Sequence, residues 1–278
     1  MTKVVAIVSG GLDSTTLVYQ LHRDGLEVDC VSFNYGQRHK KELVYAIATA
    51  KQLGLKHDIV DLSGLTHLIS NSALTTQETA DGDNVRYYRE DEKVERKIEV
   101  PEGHYAEETM KATVVPNRNM IMLSVAAGIA INRGAEGLAI GVHAGDHFIY
   151  PDCRPSFIAH ANAAIVKGNE GFGPIREHKE GSELHRYILA PYLGISKADI
   201  AYRALELNVP LHMTWSCYRG GTNHCGRCGT CVERLEAIDE AIRRVISEGS
   251  ASSEMWTEDM TVYDDNEYWK TVTKTKEA

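Results

Sequence analysis

The sequence predicts an α/β fold, a doubly wound parallel sheet followed by a small cysteine-rich segment. Three observations predict it. Short apolar, β-branched runs alternate along most of the chain with segments whose apolar residues recur at helical spacing. The first such run ends in the turn Ser9-Gly10-Gly11-Leu12-Asp13-Ser14, which leads directly into an amphipathic stretch. Four of the six cysteines crowd into the fifteen residues from 217 to 231.

Residues 4–8 have the unbroken apolar character of a buried parallel strand, and 14–22 carry apolar residues at helical spacing. The same unit returns with 27–33 as strand, 40–53 as a helix stopped at Gly54, and 57–62 as strand. Residues 63–113 break the rhythm with polar and charged sequence, including REDEKVERKIE, and are read as a solvated insertion, with a lid as the alternative. Regularity resumes with a helix at 119–132 rich in Met, Ala, Ile and Leu, a strand at 137–142 and a helix at 155–166. A loop at 167–185 precedes a strand at 187–190 and a helix at 197–207. Beyond Pro210 come the cysteine cluster, a charged helix over 232–246, and a tail past Gly249 expected either to dock locally or to be partly disordered.

A chain of 278 residues can bury a sizeable core in one or two domains. Thirty basic against 39 acidic side chains give a formal charge of −9, which opposes broad electrostatic capture of nucleic acid or an anionic membrane. No stretch has the length and apolarity of a membrane span, and Met1-Thr2-Lys3 leads straight into strand-like sequence rather than a signal peptide. The chain is therefore read as cytoplasmic, with small-molecule partners. In a reducing compartment, clustered cysteines point to metal rather than disulfides.

In the turn after the first strand, glycines let backbone approach a ligand, while successive N–H groups and the following helix start offer an anion site. Val8, Ser9, Gly10, Gly11, Leu12, Asp13, Ser14, Thr15 and Thr16 form this candidate phosphate loop. No Gly-Lys pair occurs anywhere, so it is not a Walker A loop. Capping accounts for part of the pattern as well, since Asp13 or Ser14 suits a helix N-cap. FNYGQRH places Tyr35, Gln37, Arg38 and His39 at the carboxyl edge of a strand, where open α/β sheets bind ligands. Arg118 precedes an apolar helix and can neutralise phosphate, and Lys197 opens a helix from which it can reach a departing pyrophosphate. GDHFIYPDCRPSF brings together Tyr150, which can stack on a ring, Asp152, which can accept two hydrogen bonds, and Arg154, which can pair with a carboxylate. Cys153 reads as pocket wall rather than nucleophile. The spacing Cys217-x7-Cys225-x2-Cys228-x2-Cys231 suits a tetrahedral structural Zn²⁺, with an iron–sulfur cluster as the alternative and His212 and His224 as substitute ligands.

SGGLDS after an apolar strand resembles the PP-loop of the N-type ATP pyrophosphatases, which adopt the adenine nucleotide alpha hydrolase, Rossmann-like fold. Taken with FNYGQRH, VPNRN, YPDCRPSF and the four cysteines, the chain resembles the 7-cyano-7-deazaguanine synthase family over residues 4–245. It departs from that pattern with Asn117 where glycine is usual, Asn34 where aspartate is common, and a longer region at 79–110. The resemblance implies a nucleotide-binding ligase of queuosine biosynthesis. Its substrates would be 7-carboxy-7-deazaguanine, ammonia and ATP with Mg²⁺, its product the nitrile, its zinc structural and its assembly a homodimer. Asp13, Lys197 and Arg118 would be catalytic. A variant stopping at the amide, or a tRNA-thiolating relative, is the alternative. On this reading 1–210 form the ATP-pyrophosphatase domain with insertions near 63–113 and 167–186, 211–249 the zinc segment and its helix, and 250–278 an acidic tail.

Overall fold

A computed structural model describes residues 2–68, 72–75, 98–175, 185–248 and 259–273. Much of the longer region at 79–110 with most of the charged run at 89–99, residues 176–184 of the loop at 167–185, and the first part of the tail lie outside the described residues. In chain order the elements are β1 (Lys3–Ile7), α1 (Leu12–Arg23), β2 (Glu27–Asn34), α2 (Glu42–Gln52), β3 (Lys56–Asp61), the single turn α3 (Glu107–Met110) and α4 (Arg118–Asn132). There follow β4 (Gly137–Ala139), α5 (Pro155–Gly168), β5 (Ile188–Leu189), α6 (Lys197–Glu206), α7 (Gly229–Glu248) and α8 (Tyr268–Thr273).

The strands pair in the order β3-β2-β1-β4-β5, and every pairing is parallel. Alternation along β1 explains the layers, because successive side chains of a strand point to opposite faces. Val4 and Ala6 pack with Leu17, Val18 and Leu21 of α1, Ala46 and Ala50 of α2 and Ile200 of α6. Val5 and Ile7 pack on the other face with Leu123, Ala126 and Ala130 of α4 and Ile158, Ala161 and Ile165 of α5. The expected doubly wound sheet, covered on both faces, is thus present. The chain runs outward from β1 to β2 and β3 on one side and to β4 and β5 on the other, so a crevice opens beyond the carboxyl ends of β1 and β4.

Boundaries differ where tertiary contacts outweigh local pattern. Helix α1 starts at Leu12 with extended Gly11 as its N-cap and no side-chain cap. The expectation of Asp13 or Ser14 as cap is therefore corrected: both lie inside the first turn, and the Ser14 hydroxyl accepts the Ser9 N–H at 3.1 Å. β4 ends at Ala139, three residues early, because the chain then leaves the sheet to line the crevice with Ile140, Gly141 and Val142. α7 begins at Gly229 and takes Cys231 into its first turn. The tail docks: α8 forms, and Thr273 Oγ1 bonds Glu236 Oε1 of α7 at 2.6 Å. Among the described residues, no single helix is long and apolar enough to cross a membrane.

Asn117, where glycine was the expectation from resemblance, sits before α4 in the left-handed region at φ 59° and ψ 15°. Asparagine is among the few non-glycine residues that tolerate it. Asn117→Gly is therefore expected to change stability by only a few tenths of a kcal/mol, whereas Asn117→Val should cost about 1–2 kcal/mol. Urea unfolding midpoints of the two variants check this.

Candidate active site

The turn after β1 lies in the crevice. Gly10 takes φ 85°, and a side-chain carbon there would run into the Glu42 carbonyl and the Ala46 amide of α2. Its own carbonyl accepts the Trp215 N–H at 2.8 Å, so the loop is held between α2 and the segment around Trp215. The Ser9 and Ser14 hydroxyls stand 3.0 Å apart, bridging the loop to the helix start. No side chain caps that helix start, which leaves backbone N–H groups and the positive end of the helix dipole facing the crevice.

At this end of the cavity a charged cluster assembles from four parts of the chain. Lys197, at the start of α6, donates to Asp13 Oδ2 at 2.5 Å and stands 3.7 Å from Glu233 of α7. His143 accepts the Gly145 N–H on Nδ1 at 3.1 Å. Its Nε2 therefore carries the proton and faces Asp146 at 3.5 Å and Asp13 at 3.9 Å. Tyr105 donates to Asp146 Oδ1 at 2.8 Å. Burial pushes the Asp13 carboxyl up, but Lys197, His143 and Arg234 together outweigh it and hold the group below the ordinary aspartate range. Burial opposes the Lys197 charge, and Asp13 and Glu233 more than restore it, so the ammonium is held above the usual lysine value. Glu233 ends above its usual range because burial exceeds the pull of Lys197. Asp13 Oδ1 is buried without a hydrogen-bond partner among the described residues.

Much of the remaining lining is aromatic, with Tyr35, Tyr105, Tyr218, Phe33 and Trp215 joined by His39 and Arg118. The His39 ring stacks on Tyr218 with centroids 5.0 Å apart, and Arg118 lies 6.0 Å from the Tyr150 ring centre. Burial drives His39 down to about 3, helped by the charges of Arg118 and Arg38, so it is a neutral ring at physiological pH. Burial raises Glu42 to about 7, although the Gln37 amide and Arg118 pull it back. Glu42 Oε2 stands 3.4 Å from His39 Nε2, and Oε1 accepts from Gln37 at 3.0 Å.

A folded-state pKa raised above the unfolded value means stability that is complete below the unfolded value and lost as pH rises through the folded one. For Glu42 that window runs from the ordinary 4.5 to about 7. His39 acts oppositely, losing stability as pH falls from 6.5 toward about 3. Glu42→Gln keeps an oxygen for Gln37 and removes only the first effect. Its stability relative to the parent chain should therefore rise between pH 5 and 8 by up to about 3 kcal/mol. Denaturant titrations across that range check it.

The four cysteine sulfurs at 217, 225, 228 and 231 lie within 4.8 Å of one another and could hold one metal ion. Backbone N–H groups point at them: Cys225 to the Cys217 sulfur at 3.4 Å, Arg227 and Cys228 to the Cys225 sulfur at 3.4 and 3.3 Å. Such bonds favour thiolate over thiol, the form that ligates. The expectation of His212 or His224 as substitute ligands is corrected, since four sulfurs complete the set and His224 Nε2 is occupied by the Ser216 N–H at 3.0 Å.

Residues 3–242 match the family model described as queuosine biosynthesis protein QueC. The chain belongs to the QueC family. It is 43% identical over 268 residues to a 7-cyano-7-deazaguanine synthase of Rhizobium johnstonii, covering 96% of this chain and 94% of that one. It is 42% identical over 276 residues to the protein of that name from Brucella anthropi, covering 99% and 100%. Among solved structures an NMN synthetase from Francisella tularensis aligns at a TM-score of 0.42 and 10% identity over 99% of this chain and 86% of that one, a likeness too distant to carry anything about the site.

Within this QueC-family chain the cavity brings together part of the expected set. Val8, Ser9, Gly11, Leu12, Asp13 and Ser14 line it, as do Tyr35, His39, Arg118, Cys153 and Lys197. Gly10, Thr15 and Thr16 do not: Gly10 faces α2, Thr15 is buried, and the Thr16 hydroxyl bonds the Leu12 carbonyl at 2.8 Å. Gln37 is wholly buried, its amide spent on Phe33, Tyr35 and Glu42, which makes it a brace of the turn. Arg38 reaches toward the Ile98 carbonyl. Asp152 accepts the Asn119 N–H at 3.1 Å and so caps α4. Tyr150 is buried against Thr113 at 2.6 Å, and Arg154 donates to the His147 carbonyl at 2.7 Å on the outside. None of these five side chains, expected to face substrate, is among the residues that line the cavity. Asn34, in place of aspartate, accepts from Gly36 and donates to Asp61 Oδ1, each at 3.3 Å, where a second carboxylate would be repelled.

Sequence reasoning missed Glu42, Tyr105, Trp215, Tyr218 and Glu233. Tyr105 comes from the supposed solvated insertion, and Glu233 gave a local signal as an acidic residue two positions after a metal-binding cysteine.

Proposed function

We propose that this chain converts 7-carboxy-7-deazaguanine and ammonia to 7-cyano-7-deazaguanine, consuming two ATP per nitrile and releasing AMP and pyrophosphate. What carries the reading is identity above 40% over almost the whole length of relatives that bear this name, in a chain whose crevice is lined by both an anion-ready loop and aromatic side chains. A carboxylate is a poor electrophile, because its charge is delocalised and its leaving group would be oxide. Attack of its oxygen on the α-phosphorus of ATP breaks the α–β bond, and the mixed anhydride that results has AMP as leaving group.

In this reading the loop around Ser9 to Ser14 binds the phosphates through backbone N–H groups and serine hydroxyls. Lys197 stands beside the charge that grows on departing pyrophosphate, which is electrostatic stabilisation by a fixed donor. Mg²⁺ would be held by Asp13, whose second oxygen is unpartnered, with Asp146 and Glu233 beside it, and would neutralise phosphate charge. Arg118, beside the Tyr150 ring, pairs with the substrate carboxylate, the role expected of Arg154. Tyr35, His39 and Tyr218 contact the deazapurine ring. The sulfurs of Cys217, Cys225, Cys228 and Cys231 hold Zn²⁺, which fixes the wall made by Trp215, Ser216 and Tyr218. We further read residues 1–210 as the catalytic body and 211–249 as the metal segment, in a cytoplasmic homodimer.

The test is incubation with 7-carboxy-7-deazaguanine, ATP, Mg²⁺ and ammonium, followed by mass spectrometry of the deazapurine. The nitrile is the expected product; amide accumulation would place the chain one step short, and unchanged acid would refute the assignment.

A further inference from the structure

Arg234 of α7 is completely buried, with no exposed side-chain surface. A guanidinium so placed must find partners for all its donors, because an uncompensated buried charge is costly. It finds them in two separate stretches. Toward the site, it donates to the Leu211 carbonyl and the Thr214 hydroxyl at 2.7 Å each and to the Ser216 hydroxyl at 3.4 Å. Toward residues 259–263, it donates to the Tyr263 hydroxyl and the Thr261 hydroxyl at 2.9 Å each. Asp259 lies 3.9 Å away, the one carboxylate within ion-pair distance of Arg234 among the described residues, and accepts the Tyr263 O–H at 2.7 Å.

Residues 259–265 lie beyond the part of the chain that the QueC family model matches. Here they form a strap across the cysteine knuckle. His224 N–H donates to the Val262 carbonyl at 3.2 Å, and Asp264 N–H to the His224 carbonyl at 2.8 Å. Gly226 takes φ 72° directly beneath the Asp265 carbonyl, where any side chain would collide with it. Arg227 pairs with Asp265 at 3.2 Å. On the other side of Arg234, the segment 211–216 ends at the wall of the cavity: Ser216 lines it, and Trp215 N–H holds the Gly10 carbonyl of the phosphate loop at 2.8 Å.

We propose that the strap at 259–265 is a positioning element of the ATP site, acting through Arg234 on the Leu211–Ser216 segment and thereby on Gly10. Arg234 and Tyr263 are positioning residues, since neither lines the cavity. This inference rests on reading the cavity as the ATP site. Its consequence is that strap variants disturb ATP use without emptying the metal site, because the four cysteine ligands are untouched.

The experiment uses full-length chains carrying Tyr263→Phe, Asp259→Asn, Arg234→Lys and the Tyr263→Phe/Arg234→Lys pair. Measured well below each variant's melting temperature are the KM and kcat for ATP, equilibrium binding of ATP, and metal content. The expected result is a five- to twentyfold rise in KM for ATP and in its dissociation constant for Tyr263→Phe and Arg234→Lys, with metal content unchanged. The double variant should lose less than the product of the single losses, since both cut one network. Variants that melt earlier yet bind and use ATP within twofold of the parent chain would overturn the proposal, reducing the strap to a structural clamp. A parent chain that neither binds nor turns over ATP would instead overturn the reading of the cavity itself.

Discussion

Asp13→Asn is expected to lower AMP formation by about a hundred- to a thousandfold, the usual cost of removing one fixed group from the charge-stabilising set of an active site. The carboxylate sits at the start of α1 with one oxygen on Lys197 at 2.5 Å and the other buried and unpartnered. An amide preserves shape but withdraws the charge that orients Lys197 and would bind Mg²⁺. The fold should survive, because Lys197 retains Glu233 at 3.7 Å. Lys197→Met should be worse for both activity and stability, leaving Asp13 and Glu233 as adjacent buried carboxylates with no ammonium between them. The pH response gives an independent sign. Asp13 is held below its ordinary value, so it contributes stability that is present above the unfolded pKa and lost as pH falls through the folded one. Asp13→Asn should therefore flatten the acid limb of the stability curve, lowering stability near pH 8 and converging with the parent chain at acid pH. Steady-state AMP assays and acid titrations of both variants check these results. Activity of Asp13→Asn within threefold of the parent chain would remove the loop from the chemistry.

Metal removal should have the largest effect on stability. The four sulfurs are mutually within 4.8 Å, and Cys217, Cys228 and Cys231 are completely buried. Without an ion, either thiolates repel at short range or thiols sit where backbone N–H groups expect anions. Apparent binding energies for structural zinc sites are on the order of 10 kcal/mol, and ligand binding is folding free energy where no site exists in the unfolded chain. Chelation, or Cys228→Ser, is expected to cost about 3–5 kcal/mol or more and to lower the melting temperature by about 10 °C. Activity should fall with it, since Trp215, Ser216 and Tyr218 stand at or beside Cys217 and all line the cavity. Metal analysis should give about one ion per chain in the parent and less than a fifth of that in Cys228→Ser. Cys153→Ala, altering the cavity wall far along the chain from the cluster, should keep its metal.

The sheet was legible because its strands are buried on both faces and so read as short continuous apolar runs, each followed by a helical period. The glycine turn after β1 was legible for a related reason: glycine at a strand end followed by a helix start is local information. Its exact membership was less so. Thr15 and Thr16 look like hydroxyl donors in sequence, but the helix begins at Leu12 and turns them inward. At the segment expected to meet substrate, pattern and geometry diverge more. YPDCRPSF carries the right chemistry for a heteroaromatic acid, yet Asp152 is used to cap α4 and Arg154 faces outward. Which polar groups of a loop face the ligand depends on long-range pairing that no window of sequence contains. Tyr105 illustrates the converse, since it sits in polar surroundings yet is bonded to Asp146, forty-one residues away. The departures at Asn117 and Asn34 became intelligible only with backbone angle and neighbour in hand.

The central claim is that an oxygen of the substrate acid attacks the α-phosphorus of ATP held in the loop. Oxygen tracing tests it most directly. With 7-carboxy-7-deazaguanine labelled with ¹⁸O at both carboxylate oxygens, the account predicts that each of the two AMP molecules formed per nitrile carries one ¹⁸O, seen as an isotope shift of its phosphorus resonance. Unlabelled AMP, or ADP in place of AMP, would contradict it.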